Sequence, residues 1–427
     1  MVVNMKLLLR NARLPDGTAG HVTVEGERIF SVSAAEPEGK FDRILECRNR
    51  LLLPGLYNAH THAAMQLFRG YGEDLPLQRW LNERIFPAEE KLTARAVYTA
   101  SLFAAAEMIR NGLVSFSDMY YFSEETVRAV MESGMKANIS RSIVSFDPEA
   151  DFRKDSRYLE AVSLFEQYHG AADGRIKVDM SLHAEYTNVE GMCRTVAEYA
   201  SSHNARIQVH VSETKKEHEE CIERHGMTPI AFLAHCGVLD VPVSAAHCVW
   251  VDENDMAVMR EKGVTAVHNP VSNLKLGSGI MPLGAMRDAG VTVALGTDSA
   301  ASNNTLDIMK EMFVASILHK GVSYRPDLFE AASFLRMATE NGALSQGRTD
   351  CGRLEAGMRA DLILIDLDAV NNIPMYDPVY TAVYSANASN VCMTMADGKI
   401  LWENGAYICI DMEKLKYEMR EICENYF

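Results

Sequence analysis

Brief apolar runs separated by polar punctuation mark both ends of this chain. Lys6–Asn11, His21–Glu25, Arg28–Ser33 and Ile44–Cys47 read as short strands, with Gly and Pro between them. The last eighty residues return to that texture. Gly352-Arg353-Leu354-Glu355-Ala356-Gly357-Met358-Arg359-Ala360-Asp361 leads into a strand at Leu362–Asp366. Further on, Val391–Met395, the turn Asp397-Gly398 and Lys399–Trp402 read as a hairpin. The two β-rich ends, residues 1–54 and 348–427, are expected to assemble one small β-sandwich.

Between them, residues 55–347 alternate apolar strands with amphipathic helical stretches such as Ala94–Asn111 and Ser123–Ser133. That alternation is the mark of a parallel sheet built from βαβ units. Eight strand ends can be counted, at His60, Asp118, Arg141, His183, His210, His247, His268 and Asp298. The predicted fold is therefore α/β: a (β/α)₈ TIM barrel with the small β-sandwich domain attached. In such barrels the chemistry sits at the C-terminal ends of the strands. All eight ends except Arg141 carry imidazole or carboxylate groups, which structure alone does not explain. No short-period repeat is present, which excludes a solenoid.

Composition narrows the picture further. A chain of 427 residues with 48% hydrophobic and 23% charged residues is an ordinary globular protein, long enough for a large barrel and an accessory domain. The net charge of −16 argues against a nucleic-acid or acidic-membrane surface, which needs a basic patch. Nine scattered cysteines, odd in number and without a CxxC, suit reduced thiols in a cytoplasm. The apolar stretch within Met1–Arg10 is too short for a signal peptide, and no segment is long and apolar enough to span a bilayer. The expectation is a soluble cytoplasmic protein.

The candidate chemistry begins at Leu52-Leu53-Pro54-Gly55-Leu56-Tyr57-Asn58-Ala59-His60-Thr61-His62. Two histidines spaced i, i+2 at a strand end project from one face, giving half of a metal site. The plainer alternative is a pair of polar residues on a solvated strand. His210, in Val209-His210-Val211-Ser212-Glu213-Thr214, and Asp298, in Gly296-Thr297-Asp298-Ser299, supply the missing ligands. Taken singly, His210 reads as a buried histidine bonded to a carbonyl and Asp298 as a helix cap. Taken together, at the ends of the first, fifth and eighth strands, they predict one divalent metal, Zn²⁺ or Fe²⁺. His247 is either a fifth ligand or a hydrogen-bonding partner of the attacking water, and the second role is preferred. The fourth strand ends in His183, with no lysine to bridge a second ion. Glu213 follows a ligand strand directly and is placed to shuttle a proton, although a glutamate near a helix start also suits the helix dipole.

These segments, with Ala246-His247-Cys248 and His268-Asn269-Pro270-Val271-Ser272-Asn273, resemble the amidohydrolase superfamily over essentially the whole chain. They are most similar to its aminohydrolase branch of adenosine-type deaminases, guanine deaminases and triazine hydrolases. Arg69-Gly70, Asp74-Leu75-Pro76-Leu77, Trp80-Leu81 and Ile85-Phe86-Pro87-Ala88-Glu89 resemble the 5′-methylthioadenosine/S-adenosylhomocysteine deaminases, except that Phe86 stands where that pattern has Trp. The resemblance implies that Glu89 accepts from the ribose 2′ and 3′ hydroxyls and that Trp80 packs against the nucleoside. It implies that His183 donates to a purine ring nitrogen, and that Arg141, with Arg153 as partner, holds an amino-acid carboxylate. The plain alternatives are an exposed Glu89–Glu90 pair, a core Trp80 and an ion-paired Arg141. His268, Ser272 and Asn273 match a family loop, with structural packing an equal reading.

The implied reaction is hydrolytic deamination of an adenine nucleoside. Asp298 takes a proton from the water, His247 orients that water, and Glu213 protonates the ring. The implied partners are one divalent metal per subunit, a small-molecule nucleoside and a second copy of the chain. A deaminase or chlorohydrolase of another amino-heterocycle would keep the ligands without needing Glu89. A non-catalytic binding protein would be expected to have lost them.

Overall fold

The computed structural model describes residues 5–426. Met1–Asn4 and Phe427, at the outer limits of the two terminal segments, lie outside that range. Strands β1 (Lys6–Arg13), β2 (Ala19–Glu25) and β3 (Arg28–Ser33) form an antiparallel meander, and β4 (Arg43–Glu46) and β5 (Arg50–Pro54) run parallel to β1.

The central segment supplies β6 (Leu56–Thr61), β7 (Leu113–Tyr120), β8 (Lys136–Arg141) and β9 (Ile176–Val178), a four-stranded parallel sheet. A second, five-stranded parallel sheet holds β10 (Met180–Ala184), β11 (Ile207–Val211), β12 (Val243–His247), β13 (Thr265–His268) and β14 (Thr292–Leu295). The C-terminal segment adds β15 (Leu362–Asp366), β16 (Val391–Ala396), β17 (Lys399–Glu403) and β18 (Ala406–Tyr407). Each of the eight expected central strands has a counterpart, but the fourth, expected from Ile176 to His183, is broken at Asp179 into β9 and β10, which lie in different sheets. The helices Ala94–Arg110 and Ser123–Ser133 also form, the first capped by Thr93 and the second closed by Gly134 at φ 81°.

Two expectations meet a different arrangement. The terminal strands make one continuous nine-stranded ladder, because β15 pairs with β5 from Leu362↔Pro54 to Asp366↔Arg50. Among the described residues the central strands form two ladders, not one closed ring. Side chains and isolated main-chain bonds bridge the breaks. Between the sheets, Asp179 accepts from Asn138 Nδ2 at 3.0 Å and from Gln208 Nε2 at 3.0 Å. At the other break, Asn58 accepts from Thr297 N at 3.0 Å and donates to Thr297 Oγ1 at 2.7 Å. Asp298 N there donates to His60 O at 3.0 Å. The Asn58 amide oxygen thus satisfies the Thr297 N–H that a regular ladder would have paired.

The apolar runs Leu51-Leu52-Leu53 and Leu362-Ile363-Leu364-Ile365 have a simple cause. Leu51, Leu53, Ile363 and Ile365 join the large core beneath the parallel strands, whereas Leu52, Leu362 and Leu364 join a separate cluster with Leu7, Val22, Ile29 and Met393. The strand period of two divides them between two cores, so every position is apolar. A buried ionic bolt fastens the layers. Lys136 Nζ, at the start of β8, lies 2.6 Å from Asp361 and 2.7 Å from Asp397, and Tyr57 OH also donates to Asp361. No described helix is long and apolar enough to cross a membrane.

Candidate active site

The strand ends place His60 on β6 and His62 one residue beyond it, His210 near the end of β11, and Asp298 three residues past β14. One nitrogen from each of the three histidines lies within 4.8 Å of the others. His62 Nδ1 donates to Met119 O at 2.5 Å, and His210 Nδ1 to His183 O at 2.6 Å. Those bonds put the proton on Nδ1 and leave Nε2 as a bare lone pair. The two Nε2 atoms then face each other at 3.3 Å, and His60 Nε2 is buried with no partner. Asp298 Oδ1 lies 3.4 Å from His62 Nε2 and 3.8 Å from His60 Nε2. Three buried imidazoles with a carboxylate beside them offer the kind of donor set that suits a divalent cation. Burial lowers the pKa of all three histidines, so each is held in the neutral form that a metal needs.

The supporting bonds are specific. Ser272 Oγ and Ser302 Oγ donate to Asp298 Oδ2 at 2.5 and 3.0 Å, leaving Oδ1 turned to the histidines. Burial pushes the Asp298 carboxyl up, but His62, His247, His60 and the Ser272 hydroxyl outweigh it and hold it at about 2. His247 Nδ1 donates to Asn273 Oδ1 at 2.8 Å, and its Nε2 lies 3.9 Å from Glu213 Oε2. His247 and Asp298 sit at φ 75° and 58°, left-handed conformations rare for such residues. Glu213 is buried and accepts from Ser278 Oγ at 3.1 Å; burial first, then Asp298, raises its pKa. Glu217, not Glu213, serves the following helix, accepting from Ser212 N and Glu213 N at 2.8 Å each.

One cavity of about 620 Å³ gathers these groups. His62, His210, His247, Asp298 and Glu213 line it, as do His183, Glu89 and Trp80. The last two come from one helical segment, Leu77–Glu89. Its middle turn, Leu81–Ile85, is π-wound just ahead of Pro87, which has no N–H to donate. Tyr120 OH donates to Glu89 Oε1 at 2.6 Å, and burial raises the Glu89 carboxyl to about 7. His183 Nδ1 is taken up by Thr187 Oγ1 at 3.1 Å, and burial lowers its pKa to about 4.

Arg141 lines a neighbouring cleft, not this cavity. Arg153 is not brought to the site: it is largely exposed, pairs with Glu198 at 2.9 Å and lines neither space, because its short helical turn lies on the outer surface. His268 packs behind the site with its Nε2 3.0 Å from that of His319. The sequence reading left Ser272 and Asn273 without a role and overlooked Tyr120, Ser278, Ser302 and Asn58. Tyr120 carried a signal, falling two residues after Asp118 on the same strand face.

Comparison with known proteins agrees with this geometry. A 5-methylthioadenosine/S-adenosylhomocysteine deaminase of Acetivibrio thermocellus is 42% identical over 435 residues, covering 99% of each chain. A 5′-deoxyadenosine deaminase of Methanosarcina mazei is 40% identical, over 100% of this chain and 98% of its own. A solved adenosine deaminase from Xanthomonas campestris with bound zinc superposes with a TM-score of 0.93 at 30% identity, covering 99% of this chain and 98% of its own. The sequence profile of the amidohydrolase family matches residues 51–401, and the chain belongs to that family.

Proposed function

We propose that this protein is a metal-dependent aminohydrolase that converts an adenine nucleoside to its inosine analogue and ammonia. The observation that carries the reading is one cavity lined both by the lone-pair cluster and by Glu89, an acceptor suited to a vicinal diol. The relatives named as nucleoside deaminases support it along their whole length. We read residues 55–347 as a (β/α)₈ barrel whose two ladders curl together, and residues 1–54 with 348–427 as a sandwich-like accessory domain.

In this reading His60, His62, His210 and Asp298 hold one divalent ion, Zn²⁺ in preference to Fe²⁺ given the zinc-bound neighbour. The ion supplies Lewis acidity that brings the pKa of a water toward neutrality. His247, its Nδ1 fixed by Asn273, presents Nε2 to orient that water. Asp298 accepts the water's proton. Glu213, favoured in its protonated form by burial, protonates the purine ring nitrogen beside the carbon under attack. The water oxygen bonds to that carbon, the carbon's bond to the exocyclic amine breaks, and Asp298 returns its proton to the departing ammonia. The proton left on the new hydroxyl passes back to Glu213 as the carbonyl of the inosine analogue forms. Glu89 accepts from the ribose diol, Trp80 gives the nucleoside an apolar wall, and His183 offers Nε2 to the purine.

Ammonia release and the ultraviolet change of the base test this on adenosine, 5′-methylthioadenosine, 5′-deoxyadenosine, adenine and guanine. Turnover of the nucleosides alone supports the reading. Turnover of free bases alone overturns the assignment of Glu89 to ribose.

A further inference from the structure

The cavity adjoins a second cleft of about 1580 Å³, and Glu89 and Tyr121 line both. A nucleoside anchored by its diol at Glu89 therefore has its ribose at the boundary, with the second cleft open to its 5′ substituent. The lining of that cleft is lopsided. Leu92, Phe122, Leu159 and Leu164 give it apolar surface, and Glu124, Glu125 and Glu160 give it carboxylates. Among the described residues its one cation is Arg141, which is already engaged. Arg141 Nε donates to Glu160 Oε2 at 2.5 Å, Nη1 donates to Ser142 O, and the guanidinium lies 5.0 Å from the Tyr121 ring centroid. Glu125 is paired with Arg128, leaving Glu124 as further negative charge. Two other arginines are close in sequence but line neither space: Arg153 pairs with Glu198, and Arg157 lies 3.9 Å from Asp155.

We propose that the 5′ end of this site selects nucleosides whose substituent carries no carboxylate, such as methylthio or hydrogen, over homocysteine. The inference rests on the adenine-nucleoside reading above. A carboxylate entering the cleft meets like charges, and it gains Arg141 only by displacing Glu160. A methylthio group instead meets leucine and phenylalanine surface and disturbs no pair. Glu160 is then the residue that sets the preference, by occupying the cation a carboxylate would need.

The test is kcat/KM of the metal-loaded full chain on 5′-methylthioadenosine, 5′-deoxyadenosine and S-adenosylhomocysteine, for the wild type and Glu160→Gln. We expect the wild type to favour 5′-methylthioadenosine over S-adenosylhomocysteine by about tenfold or more, with the ratio shrinking roughly tenfold in Glu160→Gln as Arg141 is released. A wild type that treats the two alike or prefers homocysteine overturns the inference, with or without a folded variant. An unchanged ratio in a folded Glu160→Gln also overturns it. Turnover of none of the three overturns the deaminase reading, and this inference falls with it.

Discussion

His62 and His210 point Nε2 lone pairs at each other across 3.3 Å, each ring locked by a backbone carbonyl at its far nitrogen. Neither ring can turn over to donate without breaking its bond to Met119 O or His183 O. A cation between them satisfies both. Chelation should therefore remove activity and lower the melting temperature, since an ion present at a thousand times its Kd contributes about 4 kcal/mol. Differential scanning fluorimetry with metal analysis, before and after a chelator, checks this; an unchanged melt in stripped protein would refute it.

Ser272→Ala removes the shorter hydroxyl bond to Asp298 Oδ2 and lets the carboxylate turn. Metal affinity should fall by roughly 10–100-fold, as is usual when a ligand loses its supporting bond. Competition against a metal indicator measures it, and Ser272→Thr, which keeps a hydroxyl, should restore much of the loss.

Glu213→Gln keeps the size of the side chain and deletes the acid. We expect kcat to fall about 10²–10⁴-fold, with metal content unchanged because Glu213 is outside the proposed ligand set. A variant that loses its metal as well would reassign Glu213 from proton transfer to holding the site.

Glu89 gives a pH signature. Its carboxyl is raised from 4.5 to about 7, so below neutrality it carries a proton and loses acceptor capacity toward a diol. kcat/KM for the nucleoside should decline as pH drops through about 7, and Glu89→Gln should flatten that limb at a lower value. The linkage to stability has a definite sign. A carboxyl raised in the fold keeps its proton when the unfolded chain has lost it, so Glu89 lowers stability as pH climbs from about 4.5 to 7.

Lys136→Met leaves Asp361 and Asp397 buried together without their cation. Such a loss typically costs about 3–5 kcal/mol, and urea unfolding should register it. The site is built elsewhere, so kcat of the surviving folded fraction should stay close to that of the wild type.

Much of this was legible in the sequence, for physical reasons. The strand ends could be found because parallel strands buried on both faces are apolar throughout, so a histidine or aspartate closing such a run stands out. Leu362–Asp366 and Ser123–Ser133 were located to the residue, the latter because Gly134 ends its helix. Other features could not be read this way. Nothing in a one-dimensional pattern says that Glu160 reaches back to Arg141, or that Arg153 turns outward to Glu198. The Ser272 hydroxyl on Asp298 was hidden for the same reason, since it lies 26 residues away on the short helix Pro270–Lys275. The broken ladders were equally hidden, because Asn58 and Asp179 look like ordinary strand residues until the Thr297 hydroxyl and N–H and the Asn138 and Gln208 amides that they bond are known.

The seam where Asn58 meets Thr297, and Thr61 meets the Asp298 carbonyl at 2.8 Å, joins residues 237 or more positions apart. The lone-pair cluster straddles that seam. During synthesis the His60–His62 pair emerges long before its carboxylate, and bringing such distant segments together carries a loop-closure cost that no local contact offsets early. A chain released before Thr297 and Asp298 would lack the carboxylate of the proposed ligand set and the bonds that close this seam.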